Sequence, residues 1–577
     1  MINNQSNVSL VKSEAISTSG MIGTKDRYAT EVGKSVLDNG GNAIDAAIAA
    51  CFAIGVVEPT SSGIGGGGYL NFQVGEKGGV IGFPMQASLS ANPDMYSIVS
   101  QQGVGSFGWA SVKNDENIHG FKSIAIPGAV AGLYKAHEMY GSMPWSDLVA
   151  PSIKLAREGI TPHWHLLYDI GKLMGFVFQY DELRRVLMPS GVMPTSDIND
   201  VNKFKQPDLA DVLEQISKYG SKGFYEGDVA NAIVKDVHDN GGILTTEDFA
   251  QYTPFVWDKG LEFSYRDKTI RVPPFACAGT TSAMTLKLLN NFNLSKIEHN
   301  SIEMIHAYIL SARMAYVDRF KYLADPNFVD VPWDGLVSDG YIKTRFQEMS
   351  GLSQYSDGKE INYRPGNPWI EERRNPTEVL PASVPSEDKG TTHLGVIDKF
   401  GNAVSLTNTL MSGFGSGVVP KTTGVIMNNG MMWFDPIADR VNSIKPGKFP
   451  LNNMTPALVL GDNGVEMSVG ASGGRRITNC VTQLIVKCID YGMSPQEAID
   501  SPRIDCSAKV ISTDPRISSE VLSKLKPRGH RFQTIGDHSL DVGFPSFASP
   551  VVITKSEDGT VRGGVDPFHS AFIQGQE

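Results

Sequence analysis

Apolar residues crowd positions 42–57 (NAIDAAIAACFAIGVV) and leave no polar face. That pattern predicts a helix buried on all sides, entered after Gly40-Gly41 and stopped by Glu58-Pro59. Further on, the apolar positions recur with a helical period. Residues 128–140 and 146–158 read as amphipathic helices, the second with Ser146 as its N-cap. Residues 208–219, 228–240, 281–290 and 301–322 read as helices too, which makes the middle of the chain mostly helical. From 351 to 390 the pattern dissolves. Pro365, Pro368, Pro376, Pro381 and Pro385 stand among clustered charges, the mark of a linker or exposed loop. The period then switches to two. Residues 392–398 and 403–410 flank Lys399-Phe400-Gly401-Asn402 as a hairpin, and 456–460 and 465–469 form a second around Asp462-Asn463-Gly464. Residues 475–491 return to helix. Helices first, then strands with helices packed on them, predict an α+β, layered αββα architecture.

Composition narrows the class. Of 577 residues 41% are hydrophobic and 20% charged, so a large buried core is expected. The net charge of −11 argues against a nucleic-acid partner or an anionic membrane surface, because phosphates need a basic footprint. The five cysteines (Cys51, Cys277, Cys480, Cys488, Cys506) are odd in number and fit no CxxC spacing. A disulfide framework or zinc site is therefore not expected, and no metal or cofactor is called for. Met1 to Lys12 lack an apolar signal core, and the longest apolar run, 46–57, is too short for a bilayer, which needs about 20 residues. The expectation is a soluble, cytoplasmic protein with no membrane contact.

Several motifs carry chemistry with a plainer alternative beside it. Residues 63–68 (GIGGGG) match GxGxxG, yet a helix precedes them and a strand (69–74) follows, the reverse of a dinucleotide site. A glycine-lined turn against another stretch of backbone is the better reading. Residues 470–474 (GASGG) match GxSxG between a strand and a helix. Ser472 with Asp505 and His530 or His538 would form a hydrolase triad in chain order. Alternatively, Gly473 and Gly474 offer backbone N–H groups to an oxyanion with no nucleophile of their own. His163 and His165 could share a face and bind metal, but no third ligand cluster is visible, so a structural role is favoured. His393 reads as a hydrogen-bonding support. The most informative stretch is Gly390-Thr391-Thr392-His393, where a threonine sits between linker and first strand. Cleavage before Thr391 would set a new α-amine beside its hydroxyl, and an α-amine titrates near pH 8, so it can accept that proton. Gly390 leaves its own carbonyl open to attack by the same hydroxyl. From spacing alone, Gly-Thr-Thr is equally an ordinary strand.

Ordered segments along nearly the whole chain resemble the γ-glutamyltranspeptidase family of N-terminal-nucleophile hydrolases. They include GGNAIDAAIAA (40–50), EPTSSGIGGGGY (58–69), IPGAVAGL (126–133), FYEGDVANAI (224–233), DRFKYLADPNFVDVP (318–332), TTHLGVIDKFGNAVSLTNTL (391–410), LNNMTP (451–456) and ASGGRR (471–476). The resemblance implies a four-layer αββα fold in one domain. It also implies a precursor that cuts itself between Gly390 and Thr391 into a large subunit (1–390) and a small catalytic subunit (391–577), which stay associated. It implies Thr391 as nucleophile, Thr409 as the hydroxyl beside the new amine, and Gly473 and Gly474 as the oxyanion glycines. The reaction would pass through an acyl ester on Thr391 to water or an acceptor amine, with a small amide or peptide as substrate. Higher oligomers are left open.

The departures bear on substrate. Where family members hold the glutamate α-amino group with polar and acidic side chains, this chain has Met411, Gly430 and Trp433. The serine pair for the α-carboxylate reads Asn452-Asn453, and the clamping arginine reads Lys122. Arg475 is added after the glycines, and Arg476, at the family's arginine position, reads as a structural ion pair. Cations persist while the ammonium site is lost, so an amide carrying a carboxylate without a free α-amine is expected. The alternatives are a conventional γ-glutamyltransferase or glutathione hydrolase, the Ser472 hydrolase, and an inactive binding homologue. Retention of Thr391, Thr409, Gly473 and Gly474 argues against the last.

Overall fold

A computed structural model describes residues 10–104, 108–197, 203–352, 359–369, 390–535 and 547–577. Among these, two antiparallel seven-stranded sheets stack face to face. The first runs Phe572–Gly575, Met21–Thr24, Gly390–Ile397, Ala403–Met411, Gly67–Val74, Lys77–Phe83, Phe255–Trp257 from edge to edge. The second runs Ala15–Ser17, Val561–Val565, Ser549–Lys555, Gly464–Ser472, Ala457–Gly461, Lys268–Val272, Leu261–Tyr265. Gly390–Ile397 and Ala403–Met411 lie on Gly464–Ser472 across the interface. Helices Arg27–Asp38, Ala43–Val57 and Ala129–Tyr140 cover the first sheet. Gly279–Leu289, Arg476–Tyr491 and Pro495–Asp500 cover the second, completing the αββα layering.

Helix Ala43–Val57 is buried along almost its full length, as its sequence predicts. Asn42 and Asp45 close a capping box at its start. The Asp398 carboxylate, in the turn after Gly390–Ile397, accepts the Ala43 N–H at 2.9 Å. A carboxylate at a helix N-terminus is favoured by the helix dipole, so this contact fixes the catalytic-side hairpin to the central helix. Both predicted hairpins form, as Gly390–Ile397 with Ala403–Met411 and as Ala457–Gly461 with Gly464–Ser472. The helices expected between 208 and 322 and at 475–491 form within two residues of their predicted ends.

Three expectations change. Ser146 is not an N-cap: helix Trp145–Glu158 starts one residue earlier with Pro144 at the cap, and the Ser146 hydroxyl turns to Asp147 at 3.2 Å. The first turn is anchored instead by the buried Trp145, whose indole N–H donates to the Ile216 carbonyl at 2.8 Å. The expected linker 351–390 begins inside helix Asp339–Leu352 and ends with Gly390 already in a strand; its residues 353–358 and 370–389 lie outside the described residues. Helices Arg27–Asp38 and Trp164–Lys172 were not foreseen, although Asp26 and His163 cap them through Tyr28 and Leu166 N–H groups.

Candidate active site

Strand pairing sets Thr391 directly opposite Thr409, and Gly390 opposite Met411, with a register shift between Gly390 and Thr391. The scissile-bond candidate therefore lies at an irregularity in the ladder, where backbone pairing is already broken. The Thr409 hydroxyl donates to the Gly390 carbonyl and accepts the Met411 N–H at 2.9 Å. A hydroxyl has one proton, so the Thr391 hydroxyl, 2.8 Å away, is the donor in the Thr391–Thr409 pair. Both threonines are buried, with Thr391 5% exposed.

The glycines of 63–68 supply the floor. A Cβ on Gly66 would stand 2.2 Å from the Thr409 carbonyl oxygen, and one on Gly68 2.0 Å from that of Thr407. Gly65 would likewise meet the Ile426 carbonyl at 2.2 Å. Close backbone approach explains the run, as expected.

His393 sits in the same strand, its Nδ1 3.0 Å from the Thr407 hydroxyl, and its ring fills the space left by Gly470 of the other sheet. Burial pushes its pKa down to about 3, so it stays neutral and acts as a support.

Two residues that the sequence reading missed complete the setting. Lys25 is buried, donates to the Thr391 carbonyl at 3.1 Å and to the Ser61 hydroxyl at 3.1 Å, and pairs with Glu58 at 2.7 Å. Burial raises the Glu58 pKa and the Lys25 charge opposes that rise. Glu58 was legible only as a helix stop, and nothing in the sequence singled out Lys25. Beside Glu58, Asp26 pairs with His163 at 2.6 Å, and His163 also meets the Ser570 hydroxyl at 2.6 Å. The His165 and His569 rings are tilted by 47°, with centroids 4.4 Å apart. No cluster of three metal-ligating side chains forms among the described residues.

Gly473 and Gly474 take φ of +141° and +59°, at the start of the 16-residue helix Arg476–Tyr491. A Cβ on Gly473 would stand 2.8 Å from the Ala548 Cα, so both conformation and space require glycine there. The first turn of a helix carries N–H groups without intrahelical partners and a partial positive charge.

The proposed substrate residues separate into three groups. Met411, with a left-handed φ of +86°, Gly430 and Trp433 lie together in an apolar region with Tyr69, Met431 and Met454. A side chain at Gly430 would crowd Ala125 and Met85. Asn452 is held by Tyr69 and Ala276, while Arg319 donates to the Asn452 carbonyl and to the Asn453 amide oxygen at 3.0 Å. Arg319 is fully buried and makes no ion pair among the described residues; burial pulls its pKa down to about 10. Among the described residues the Asn453 amide nitrogen and the Arg319 Nε have no hydrogen-bond partner. Lys122, by contrast, is 40% exposed and paired with Glu116 at 3.0 Å. Arg475 is buried beside Asp505, and its carbonyl accepts the Tyr316 hydroxyl at 3.1 Å. Arg476 is buried as well.

The Ser472 triad does not assemble among the described residues. Asp505 is taken by Asn479 at 2.7 Å and Ser507 at 2.8 Å, and His530 by His306 at 2.7 Å. His538 lies outside the described residues. Ser472 ends a strand, buried, and the doubled glycine after it is what the turn requires.

Comparison with known proteins decides the class. The Gamma-glutamyltranspeptidase family model matches residues 29–571. The chain belongs to the γ-glutamyltranspeptidase family. It is 32% identical to the glutathione hydrolase proenzyme of Bacillus subtilis (strain 168) over 557 residues, covering 95% of this chain and 90% of the relative. It is 30% identical to the acylase ACY 1 proenzyme of Pseudomonas sp. (strain V22), covering 90% and 88%. The cephalosporin acylase of Bacillus halodurans superposes over 100% of this chain and 99% of its own, with TM-score 0.84 and 25% identity. The αββα fold is thus that of the self-cleaving N-terminal-nucleophile hydrolases, and the chain is a γ-glutamyltranspeptidase-like amidohydrolase or acyltransferase. Among the described residues no helix is long and apolar enough to cross a membrane.

Proposed function

We propose that Thr391 is the nucleophile of this enzyme, first against its own chain and then against an amide substrate. The observation that carries this reading is the bonding of Thr391, Thr409 and Gly390. In self-cleavage the Thr391 oxygen attacks the Gly390 carbonyl carbon, and the Thr409 hydroxyl already donates to the oxygen that gains negative charge. The C–N bond breaks, giving a Gly390 ester on the Thr391 oxygen and a free Thr391 amine; water then releases Gly390. The products are residues 1–390 and 391–577. In turnover the new amine takes the hydroxyl proton, an acyl ester forms on Thr391, and water or an amine removes the acyl group. Gly473 and Gly474 are the donors assigned to the oxyanion of this second reaction.

The substrate proposed is an amide whose acyl part carries a carboxylate and lacks a free α-amine. Positions 411, 430 and 433 carry no charge and lie in apolar surroundings, where an ammonium would lose its hydration without a partner. Arg319 and the open amide of Asn453 favour an anion beside them. Lys122 and Arg475 drop behind, since Glu116 and Asp505 already compensate them.

Intact mass tests the first part. Scaling 62.5 kDa by residue number, fragments of about 42 and about 20 kDa are expected, with Thr391→Ala remaining whole. A wild type that never cleaves sinks the threonine mechanism. For the substrate, glutaryl-p-nitroanilide is compared with γ-glutamyl-p-nitroanilide, the same donor with its α-amine. Higher kcat/KM is expected for the glutaryl compound; saturable turnover of the glutamyl compound alone restores the conventional γ-glutamyl reading.

A further inference from the structure

We infer that the Lys25 ammonium keeps the Thr391 α-amine unprotonated once the chain is cut, and so keeps it a base at neutral pH. The inference rests on the reading of Thr391 above. Lys25 thereby acts through the amine, as a positioning residue. The amine must be neutral to take the hydroxyl proton. A free α-amine titrates at about 7.7–8.0, so at pH 7 it is mostly protonated and unable to do so. Burial of Thr391, 5% exposed, disfavours an ammonium and lowers that value. A like charge alongside lowers it further.

Lys25 supplies that charge. Its Nζ lies 3.1 Å from the Thr391 carbonyl oxygen. Within one residue, three bonds join the backbone nitrogen to the carbonyl oxygen and hold the two at most about 3.6 Å apart. The ammonium therefore stands within about 7 Å of the amine nitrogen in any backbone conformation. Cleavage breaks the bond between the Gly390 carbonyl carbon and this nitrogen, and leaves the carbonyl on which Lys25 rests untouched. An ammonium has three N–H groups, and three oxygens meet them: the Thr391 carbonyl, the Ser61 hydroxyl at 3.1 Å and the Glu58 carboxylate at 2.7 Å. Lys25 is 2% exposed, so little water or salt screens it.

The other charges nearby are engaged elsewhere. Glu58 contacts Lys25 and Ser61, whereas Lys25 bonds Thr391 itself. Asp26 caps helix Arg27–Asp38 and meets His163 at 2.6 Å; Asp169 lies 3.5 Å from His165. In the Thr391 strand, His393 is neutral and Asp398 holds the Ala43 N–H. On helix Ala43–Val57, Asp45 accepts the Ser142 N–H at 3.0 Å, and burial pushes the Cys51 thiol up to about 12 and so keeps it neutral. Across the sheet interface, Glu466 pairs with Lys268 at 3.0 Å, and Lys555 lies against Gly401, at the far end of the hairpin. Strands Met21–Thr24 and Ala403–Met411 carry no ionisable side chain. Among the described residues no carboxylate bonds Thr391, and Lys25 is the charge in direct contact with it.

The pH dependence of turnover reads the base, because kcat/KM rises with pH as the amine of the free enzyme loses its proton. It is measured with glutaryl-p-nitroanilide on protein incubated until a denaturing gel shows complete cleavage. In the wild type the half-maximal point is expected at about pH 6.5 or below. Two double variants remove the charge and its partner together: Lys25→Met with Glu58→Gln, and Lys25→Gln with Glu58→Gln, which keeps an N–H donor without the charge. In both, the half-maximal point should move up by about one pH unit or more. Lys25→Arg keeps the charge and should leave the point where the wild type has it. A wild-type point at about pH 8 or above overturns the inference, as does an unshifted point in either double variant. Failure of both double variants to cleave overturns it too, since Lys25 would then serve the first reaction, in which no free amine exists. A wild type that stays whole refutes the reading of Thr391. A wild type that cleaves and turns over with a pH profile indifferent to Lys25 refutes only the inference about Lys25.

Discussion

A hydroxyl proton has one destination, and at the centre of this site that decides the chemistry. Thr409 spends its proton on the Gly390 carbonyl, so Thr391 must donate to Thr409, which leaves its lone pairs for the proposed attack. Thr409→Val removes both contacts, and the one from the Met411 N–H, at nearly constant volume. Self-cleavage, followed by fragment appearance on a denaturing gel, should slow roughly 10–100-fold, the scale of losing a hydrogen bond to a group gaining charge. His393 gives a second expectation at this scale. Its folded pKa of about 3 lies below the ordinary 6.5, so the unfolded chain takes up a proton from about pH 6.5 downward while the folded chain does not. The wild type therefore loses stability through that window, by about 1.4 kcal/mol per pH unit from this group. His393→Gln lacks this contribution. The stability difference favouring wild type, measured by urea unfolding, should shrink between about pH 6 and pH 4. A difference constant with pH would place the ring in water. Thr391, Thr409 and the glycine pair were legible in the sequence as candidates because the roles proposed for them depend on backbone position. The pairing of Lys122 with Glu116 and the charge of Asp505 near Arg475 are contacts that sequence order does not record.

Among elements, the hairpin Gly390–Ile397 with Ala403–Met411 is the working part, and its supports come from far along the chain. The glycine strand Gly67–Val74 carries it on one side, the Asp398–Ala43 contact pins its turn, and Lys25 holds the Thr391 carbonyl. Periodicity revealed the hairpin and the buried helix, since one face or all faces of each are apolar. It could not reveal Lys25–Glu58, whose partners are 33 residues apart and meet only when the sheet forms. Removing one partner of such a buried pair costs about 3–5 kcal/mol, because the other charge is left without compensation. Lys25→Met should lower the unfolding midpoint and delay cleavage. Lys25→Met with Glu58→Gln should recover most of the stability while cleavage stays slow, as the donor to the Thr391 carbonyl remains absent. Full recovery of both would reduce the pair to a structural role.

In the whole molecule, the change from helical to strand periodicity near residue 390 was read correctly as a change of architecture, and the layers followed from it. The sequence did not show that the first 390 residues also supply strands to both sheets, three of the four edge strands among them. Those strands, such as Met21–Thr24 and Leu261–Tyr265, are short, and their pattern is weak until they are paired. In each sheet, strands from beyond residue 390 lie between strands from before it. The proposed cut at Gly390 therefore changes the order of the folding reaction. Uncut chain refolds in a first-order process whose yield of native protein is independent of dilution in the absence of aggregation. Once cut and denatured, the two pieces must meet in solution before either sheet can close. Recovery of native protein should then fall with dilution, at a rate set by the product of two concentrations. Equal recovery of cut and uncut protein at every concentration would mean that each piece folds alone.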